Sequence, residues 1–197
     1  MNICVYGASS DIIDAAYLAA GENLGVSMAK RGHGLVFGGG TAGMMGAVAR
    51  GMTEGGGYIL GVAPGFFNVD GVLYEHCSEF IYTETMRQRK QIMEDRADAF
   101  VMTPGGIGTF EEFFEILTLR QLGQHKKPIA ILNTNGYYDA MLSMLETAVA
   151  QQFMKKACLD LYGIFTDNDA LLDYLETYKP AENTVKDFKN IAEDTHQ

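Results

Sequence analysis

The sequence predicts an α/β fold, a Rossmann-like doubly wound parallel sheet of about seven strands with helices on both faces. Short β-rich runs alternate with longer helical patterns, most strand runs are continuously apolar, and glycines concentrate where those runs end. Continuous apolar runs are typical of strands covered by helices on both faces, whereas half-exposed antiparallel strands alternate. Ligands of such sheets bind outside the carboxyl ends of the strands, so the glycine-rich turns there are the expected site.

The elements follow one another as βα units along the chain. Each strand is a short run of β-forming residues, and each helix carries apolar residues at three-to-four spacing. The predicted strands are Ile3–Tyr6, Leu35–Phe37, Tyr58–Val62, Phe80–Tyr82, Ala99–Met102, Ile129–Leu132 and Gly163–Phe165. The predicted helices are Ala15–Arg31, Ala42–Thr53, Thr85–Ala97, Thr109–Leu122, Tyr137–Gln151 and Asp169–Tyr178. We predict one nucleotide-binding domain over residues 1–180, and a polar tail or short helix over residues 181–197 with an apolar stripe of Val185, Phe188 and Ile191.

Composition excludes several classes of protein. Hydrophobic residues make up 47% of the chain and charged residues 20%, and no apolar run approaches the ~18 to 20 residues of a membrane span. The first residues enter a strand without the basic and apolar segments of a secretion signal, so we expect a cytoplasmic protein without membrane contact. The formal charge of −10 disfavours nucleic acid, but backbone amides and one arginine can still hold a small phosphorylated ligand.

Cysteines and histidines give no sign of a metal or disulfide framework. Three cysteines lie far apart without C-x-x-C spacing, which fits a reducing compartment. The four histidines have no partners at ligand spacing, and we expect no metal and no cofactor. The residues concerned are Cys4, Cys77 and Cys158, with His33, His76, His125 and His196.

The sharpest motif follows the fifth predicted strand and opens the helix predicted from Thr109. It reads Thr103-Pro104-Gly105-Gly106-Ile107-Gly108-Thr109-Phe110-Glu111-Glu112. Its glycines let the backbone approach a ligand, and the exposed amides of a helix start suit a phosphate. A structural alternative stays open, because Thr109-x-x-Glu112 is also the pattern of a capping box.

A second motif, Met86-Arg87-Gln88-Arg89-Lys90, lies on the preceding helix. Arginine can hold a phosphate or carboxylate with a bidentate fork. Taken alone, such a basic cluster is more often a solvated helix face.

Together, M-x-x-R-K followed by P-G-G-x-G-T-x-x-E closely resembles the LOG (Lonely Guy) family of cytokinin riboside 5′-monophosphate phosphoribohydrolases. Both signatures match at every fixed position, and Arg89 and Glu112 lie 112 − 89 = 23 residues apart, as in the family pattern. The departures are mild: Ile107 and Phe110 stand where the family often has tyrosine and leucine, and the first loop, Ser9-Ser10-Asp11-Ile12, lacks the glycine common there. They bear on the preference for the base more than on the reaction. The resemblance extends over most of the chain.

The resemblance implies hydrolysis of the N-glycosidic bond of a nucleoside 5′-monophosphate in a homodimer, with Arg89 and Glu112 as the catalytic pair. It also implies that the loop after the fifth strand takes the 5′-phosphate, with other substrate contacts nearby. The implied substrate-binding residues are Met86, Lys90, Gly105, Gly106, Ile107, Gly108, Thr109, Glu111 and Thr118. Gly39 and Gly40 would form another wall of the pocket. Phe113, Phe114 and Leu117 are candidates either for a dimer face or for the core.

Elementary chemistry assigns roles to the pair. Breaking a glycosidic bond builds positive charge on the ribose, so a carboxylate near the anomeric carbon stabilises the transition state and can act as nucleophile or as base toward water. Glu112 is the candidate, and Arg89 is expected to lower the pKa of that carboxylate. Glu111 is the expected ligand of a sugar hydroxyl, although spacing does not decide which glutamate reaches the anomeric carbon.

The sequence offers three alternatives to this function. The run from Gly38 to Gly43 matches G-x-G-x-x-G, but no acidic residue is placed for the ribose of a dinucleotide. Proteins of this type are often labelled lysine decarboxylases, yet no lysine is recognisably set up for a pyridoxal phosphate Schiff base. The main rival is a non-catalytic carrier of a nucleotide or phosphorylated cofactor, which needs the phosphate loop but not a paired arginine and carboxylate.

Overall fold

A computed structural model describes residues 1–181 and 185–188, and it confirms the predicted fold class. Seven parallel strands form one sheet in the order β4-β3-β2-β1-β5-β6-β7. The strands are β1 Asn2–Tyr6, β2 Gly34–Phe37, β3 Ile59–Pro64, β4 Glu79–Thr83, β5 Ala99–Met102, β6 Ile129–Leu132 and β7 Gly163–Phe165. All seven predicted strands are present; the last three have the predicted boundaries, and the first four differ from them by one or two residues.

The strand order reverses between β1 and β5, which pair in register from Ile3 opposite Ala99 to Tyr6 opposite Met102. The chain leaves β1 toward β2 on one side of this pair and leaves β5 toward β6 on the other. The loops that follow β1 and β5 therefore diverge and leave a crevice at the carboxyl end of the sheet. This is the switch point at which ligands of doubly wound sheets bind.

Helices connect the strands and cover both faces of the sheet. They are α1 Ala15–Lys30, α2 Gly43–Glu54, α3 Met86–Arg96, α4 Ile107–Gln121, α5 Asp139–Ala150, α6 Asn168–Thr177 and α7 Val185–Phe188, with short 3₁₀ turns at Gly65–Phe67, Thr134–Gly136 and Lys156–Leu161. The predicted start of α5 at Tyr137 is wrong, because Asn135 and Gly136 adopt left-handed backbone conformations with φ of 54° and 69°. The helix begins only after that turn.

Two apolar layers hold the helices to the sheet. One layer contains Phe100, Phe113 and Leu117, and the other contains Leu35, Val48 and Leu172. Phe113 is 1% exposed and Leu117 8%, so these two residues belong to the core of the single chain and not to a dimer face. Their burial stabilises the packing of α4 against the sheet, since truncating a core phenylalanine lowers the free energy of unfolding by about 3 to 5 kcal/mol.

The segment beyond residue 181 is described only in part. Phe188 is buried, and its carbonyl accepts a hydrogen bond from Nε2 of Gln121 at 3.3 Å. This contact joins α7 to α4. Ile191 and His196 lie outside the described residues, as do most of the residues assigned to the tail. Among the described helices, none is both long and apolar enough to cross a membrane.

Candidate active site

A cavity of about 590 Å³ opens at the switch point, within the size range of small-molecule sites. Four segments form its walls: the loop after β1, the glycine loop after β2, the connection between β3 and β4, and the start of α4. Arg89 and Met86 of α3 complete it. The lining residues are Gly7, Ala8, Ser9, Gly38, Gly40, Thr41, Ala42, Met45, Phe67, Gly71, Val72, Leu73, Met86, Arg89, Gly106, Ile107, Gly108, Thr109 and Glu112.

The helix that borders the cavity begins earlier than the sequence predicts. Gly106 is the N-cap of α4, and Ile107 is its first residue, so the predicted start at Thr109 is wrong by two residues. Gly106 ends the loop in an extended backbone conformation without a side-chain cap, and the helix begins directly after it, inside the glycine run. Thr109 is therefore the third helical residue and cannot be the N-cap of a capping box with Glu112.

The capping box of this region lies on α3 instead. Oγ1 of Thr85 accepts from the backbone N–H of Gln88, and the Gln88 side chain accepts from the backbone N–H of Thr85. Glu112 is left in the second turn of α4. The structural explanation of Glu112 as a cap is thereby removed.

Two helix N-termini face the cavity, and they differ in what occupies them. At α2, the carboxylate Oδ1 of Asp11 accepts from the backbone N–H of Gly43 at 2.7 Å, and the carbonyl of Ala8 accepts from Met45 N–H at 3.2 Å. At α4, Gly106 supplies no side-chain hydrogen bond to the first turn. Because an anion of the chain itself already lies at α2, the start of α4 is the better position for a ligand phosphate.

This difference also bears on the G-x-G-x-x-G run before α2. A dinucleotide would place its pyrophosphate where the Asp11 carboxylate lies. The glycines of the run have packing roles instead. A β-carbon on Gly38 would lie 2.1 Å from Nη2 of Arg89, and one on Gly39, whose φ is +76°, would lie 2.7 Å from the Phe80 ring. Gly40 lines the cavity as expected, but Gly39 does not.

Arg89 and Glu112 meet in the wall of the cavity. Nη2 of Arg89 lies 3.1 Å from Oε1 of Glu112, and each residue is 8% exposed. Nε of Arg89 donates to the carbonyl of Val62 at 3.3 Å, which fixes the guanidinium beneath the end of β3. The neighbouring Arg87 is exposed, because residues two apart on a helix point in nearly opposite directions. The two predicted residues are therefore in contact, and both line the same cavity as the start of α4.

Burial dominates the electrostatics of the pair. It raises the pKa of Glu112 from 4.5 to about 7, and the positive charge of Arg89 offsets only part of that rise. The expectation that Arg89 would lower the pKa is correct for the effect of Arg89 alone and wrong for the net shift. Glu112 can therefore take up or release a proton near neutral pH, as acid-base residues of enzymes do.

Other predicted substrate contacts divide into two groups. Met86, Gly106, Ile107, Gly108 and Thr109 line the cavity. Gly105 lies behind its wall, where a β-carbon would lie 2.1 Å from Oγ1 of Thr109. A larger residue at position 105 would therefore clash with the side chain of Thr109.

Lys90, Glu111 and Thr118 are not brought to the cavity of the single chain. Nζ of Lys90 lies 2.5 Å from Glu111 and 2.7 Å from Glu115, on the outer side of α3 and α4. Thr118 is exposed further along α4. Of the two adjacent glutamates, only Glu112 reaches the cavity wall.

The cavity wall formed by the connection between β3 and β4 was not predicted from the sequence. Phe67, Val72 and Leu73 come from this connection and give the cavity an apolar side. Thr41 N–H donates to the carbonyl of Val72 at 3.0 Å, which ties the connection to the glycine loop. The available signal was a run of aromatic and aliphatic residues, Phe66-Phe67-Asn68-Val69, in a segment without helical or strand periodicity.

The chain matches the model of a known protein family. Residues 45–175 match a family model described as "Possible lysine decarboxylase". No lysine occurs among the described residues that line the cavity, so this site offers no amine for a Schiff base.

The curated relatives have names of another kind. The chain is 37% identical to the cytokinin riboside 5′-monophosphate phosphoribohydrolase LOG2 of Arabidopsis thaliana, over 91% of this chain and 84% of that protein. It is 35% identical to LOG3 of the same plant, over 93% and 86%. It is also 39% identical to LOGL9, a probable enzyme of the same name from Oryza sativa subsp. japonica, over 91% and 79%.

Solved structures share the fold at lower identity. The molybdenum cofactor carrier protein of Chlamydomonas reinhardtii aligns with a TM-score of 0.68 at 22% identity, over 90% of this chain and 98% of that one. The molybdenum cofactor binding protein of Rippkaea orientalis aligns with a TM-score of 0.67 at 19% identity, over 89% and 94%. At these identities the likeness supports the architecture alone.

Proposed function

This chain belongs to the LOG family of cytokinin riboside 5′-monophosphate phosphoribohydrolases, and from that premise we propose what its site does. It hydrolyses the N-glycosidic bond of a nucleoside 5′-monophosphate, AMP or an N6-substituted cytokinin riboside monophosphate, to the free base and ribose 5-phosphate. The observation that carries the proposal is the buried Arg89–Glu112 pair, which faces the same cavity as the open N-terminus of α4.

The 5′-phosphate lies at the start of α4. Gly106, Gly108 and Thr109 line the cavity there, and the N–H groups at the start of a helix have no acceptor within the helix, so they are available to an anion, to which the helix dipole adds ~0.3 to 1 kcal/mol. Arg89 supplies the nearby positive charge. The ribose then lies between this start and Glu112, and the base extends toward the apolar wall that includes Phe67.

Glu112 acts on the anomeric carbon. As the bond from that carbon to the base nitrogen breaks, the base takes the electron pair and positive charge develops on the ribose, which the Glu112 carboxylate stabilises. Water supplies the hydroxyl group of ribose 5-phosphate, and its second proton balances the departing base. Glu112 serves either as the nucleophile that precedes water or as the base that activates it. Arg89 orients the carboxylate through the 3.1 Å contact.

A non-catalytic carrier is the second candidate. It would use the start of α4 to hold a phosphate, but it would have no need for a carboxylate buried at a cost and paired with an arginine. The Arg89–Glu112 geometry therefore favours the enzyme.

Incubation with AMP tests the proposal directly. Free adenine, measured by chromatography, is expected from AMP, and hardly any from adenosine, because adenosine lacks the group that α4 binds. A protein that binds AMP and never releases adenine would be a carrier. Equal release from adenosine would contradict the assigned role of α4.

We further propose that the protein is a homodimer. Apolar side chains such as Phe66, Val69 and Tyr82 remain more than half exposed in the single chain, and covering them would stabilise a dimer. The substrate contacts implied for Lys90, Glu111 and Thr118 also lie outside the single-chain cavity. Sedimentation at micromolar concentration should give twice the chain mass, and a monomer there would contradict the proposal.

A cytoplasmic location is the last part of the proposal. Cys4, Cys77 and Cys158 are all free thiols, which fits a reducing compartment. Fractionation of the source cells tests it, with the protein expected in the soluble cytoplasmic fraction.

A further inference from the structure

The orientation of the peptide unit between Gly105 and Gly106 decides whether the N–H of Gly106 can donate to a phosphate at the proposed site. In a planar trans peptide the carbonyl of Gly105 and the N–H of Gly106 point in opposite directions. Rotation of this unit would turn the carbonyl oxygen toward the cavity, where it would repel a phosphate. Glycine on both sides makes such a rotation easy, because neither residue has a β-carbon to oppose it.

Tyr137, at the connection between β6 and α5, contacts this unit from behind the cavity. Its hydroxyl donates a hydrogen bond to the carbonyl of Gly105 at 2.8 Å. Neither Tyr137 nor Gly105 lines the cavity, whereas Gly106 does. We propose that Tyr137 is a positioning residue, which holds the Gly105 carbonyl away from the cavity and so keeps the Gly106 N–H directed at the substrate phosphate. The inference rests on the proposed function, since it concerns the same phosphate.

The surroundings of Tyr137 keep its hydroxyl in place. Asn133 accepts from the backbone N–H of Tyr138 at 2.7 Å and donates to Asp139 at 2.7 Å, which closes the turn on which Tyr137 lies. The ring of Tyr17 packs edge-on against that of Tyr137, with centroids 5.9 Å apart. The turn after β6 and the ring of Tyr17 on α1 therefore both hold Tyr137 in place.

Tyr138 also contacts the Gly105 backbone, but it belongs to the core. Its hydroxyl donates to the carbonyl of Thr103 at 2.7 Å, and the residue is 1% exposed. Removing that hydroxyl would leave a buried carbonyl unpaired and destabilise the fold. Tyr137 is 42% exposed, so removing its hydroxyl should cost the fold little stability.

The test compares Tyr137→Phe with the wild type in binding ribose 5-phosphate by calorimetry and in turnover of AMP. The hydroxyl contributes one hydrogen bond, so the dissociation constant for ribose 5-phosphate and the KM for AMP should each rise about threefold to tenfold. The value of kcat should stay within about twofold, because a flipped loop lowers the fraction of competent free protein and not the reactivity of the bound complex.

Tyr58→Phe is the matched control. Tyr58 is 38% exposed and donates to Glu79 at 2.5 Å, far from the cavity, so this variant should bind ribose 5-phosphate as the wild type does. A second readout is the amide resonance of Gly106, which should show microsecond-to-millisecond exchange only in Tyr137→Phe.

The outcomes separate the two proposals. The proposed role of Tyr137 is wrong if folded Tyr137→Phe binds ribose 5-phosphate within twofold of wild type. It is also wrong if Tyr58→Phe weakens the binding of ribose 5-phosphate as much as Tyr137→Phe does. A fall in kcat at unchanged dissociation constant would also overturn it. If wild-type protein binds ribose 5-phosphate but releases no base from AMP, the proposed reaction fails, and the dissociation constants still decide the role of Tyr137.

Discussion

Replacing Glu112 by glutamine should stabilise the protein while removing its activity. The ionised carboxylate is costly here, because burial raises its pKa from 4.5 to about 7. Each tenfold change in the acid dissociation constant corresponds to about 1.4 kcal/mol, and a rise of the pKa from 4.5 to about 7 is more than two such changes. Ionised Glu112 therefore lowers the free energy of unfolding by about 3 kcal/mol above pH 7. The loss develops as pH rises from about 4.5, where the unfolded chain gives up its proton, to about 7, where the folded chain does.

Glutamine resembles the protonated form and does not titrate. Glu112→Gln should therefore match the wild type in stability near pH 4.5 and exceed it by up to about 3 kcal/mol at pH 8. Its kcat with AMP should fall by roughly 10²-fold or more, the size expected when a positioned charge-stabilising or acid-base group is lost.

Urea unfolding at the two pH values and adenine release at pH 8 measure both effects. Glu115→Gln is the matched control, one turn along the same helix and exposed, with a surface pair to Lys90. It should change the free energy of unfolding by about 0.5 kcal/mol or less at either pH. A Glu112→Gln variant that is less stable than wild type at pH 8 would show that Arg89 outweighs burial, and near-normal adenine release would remove Glu112 from the reaction.

Three further predictions concern the same pair. The value of kcat/KM for AMP should rise with pH up to about 7 and then level off, since the active form of Glu112 is the carboxylate; a profile that falls over that range would make the protonated form the active one. Arg89→Ala should abolish turnover, and its combination with Glu112→Gln should be little worse than either change alone, because groups that act as a unit are not additive; additive losses in adenine release would contradict this. Gly38→Ala should lower turnover about 10-fold or more, because its β-carbon would lie 2.1 Å from the Arg89 guanidinium; the control Gly56→Ala, which has open space at a strained φ of +69° and does not line the cavity, should leave turnover unchanged.

The sheet could be predicted because its signals are local. Buried parallel strands such as β5 and β6 are continuous apolar runs, and they were located to the residue. Helix ends depend on less local features. The left-handed Asn135 delays α5, and the cap at Gly106 brings α4 forward, and neither conformation is encoded in apolar periodicity.

The site was predictable only as far as its motifs reached. The resemblance singled out Arg89 and Glu112, and the structure brings them within 3.1 Å. It also pointed to Gly39 and Thr118, which the fold places elsewhere. Phe67 escaped notice because a wall residue in an aperiodic connection becomes recognisable only when the chain folds over the cavity.

The capping-box pattern shows why spacing alone could not assign Glu112. A cap and a catalyst can share the same three-residue interval, and the choice depends on where the helix begins. Because α4 begins at Ile107, Glu112 does not cap the helix. Its burial raises its pKa more than Arg89 lowers it, so we expect the ionised side chain to lower the free energy of unfolding at pH 8. A carboxylate whose pKa is raised by burial, in contact with an arginine and in the wall of a cavity beside a helix N-terminus, is what the proposed catalytic role of Glu112 requires.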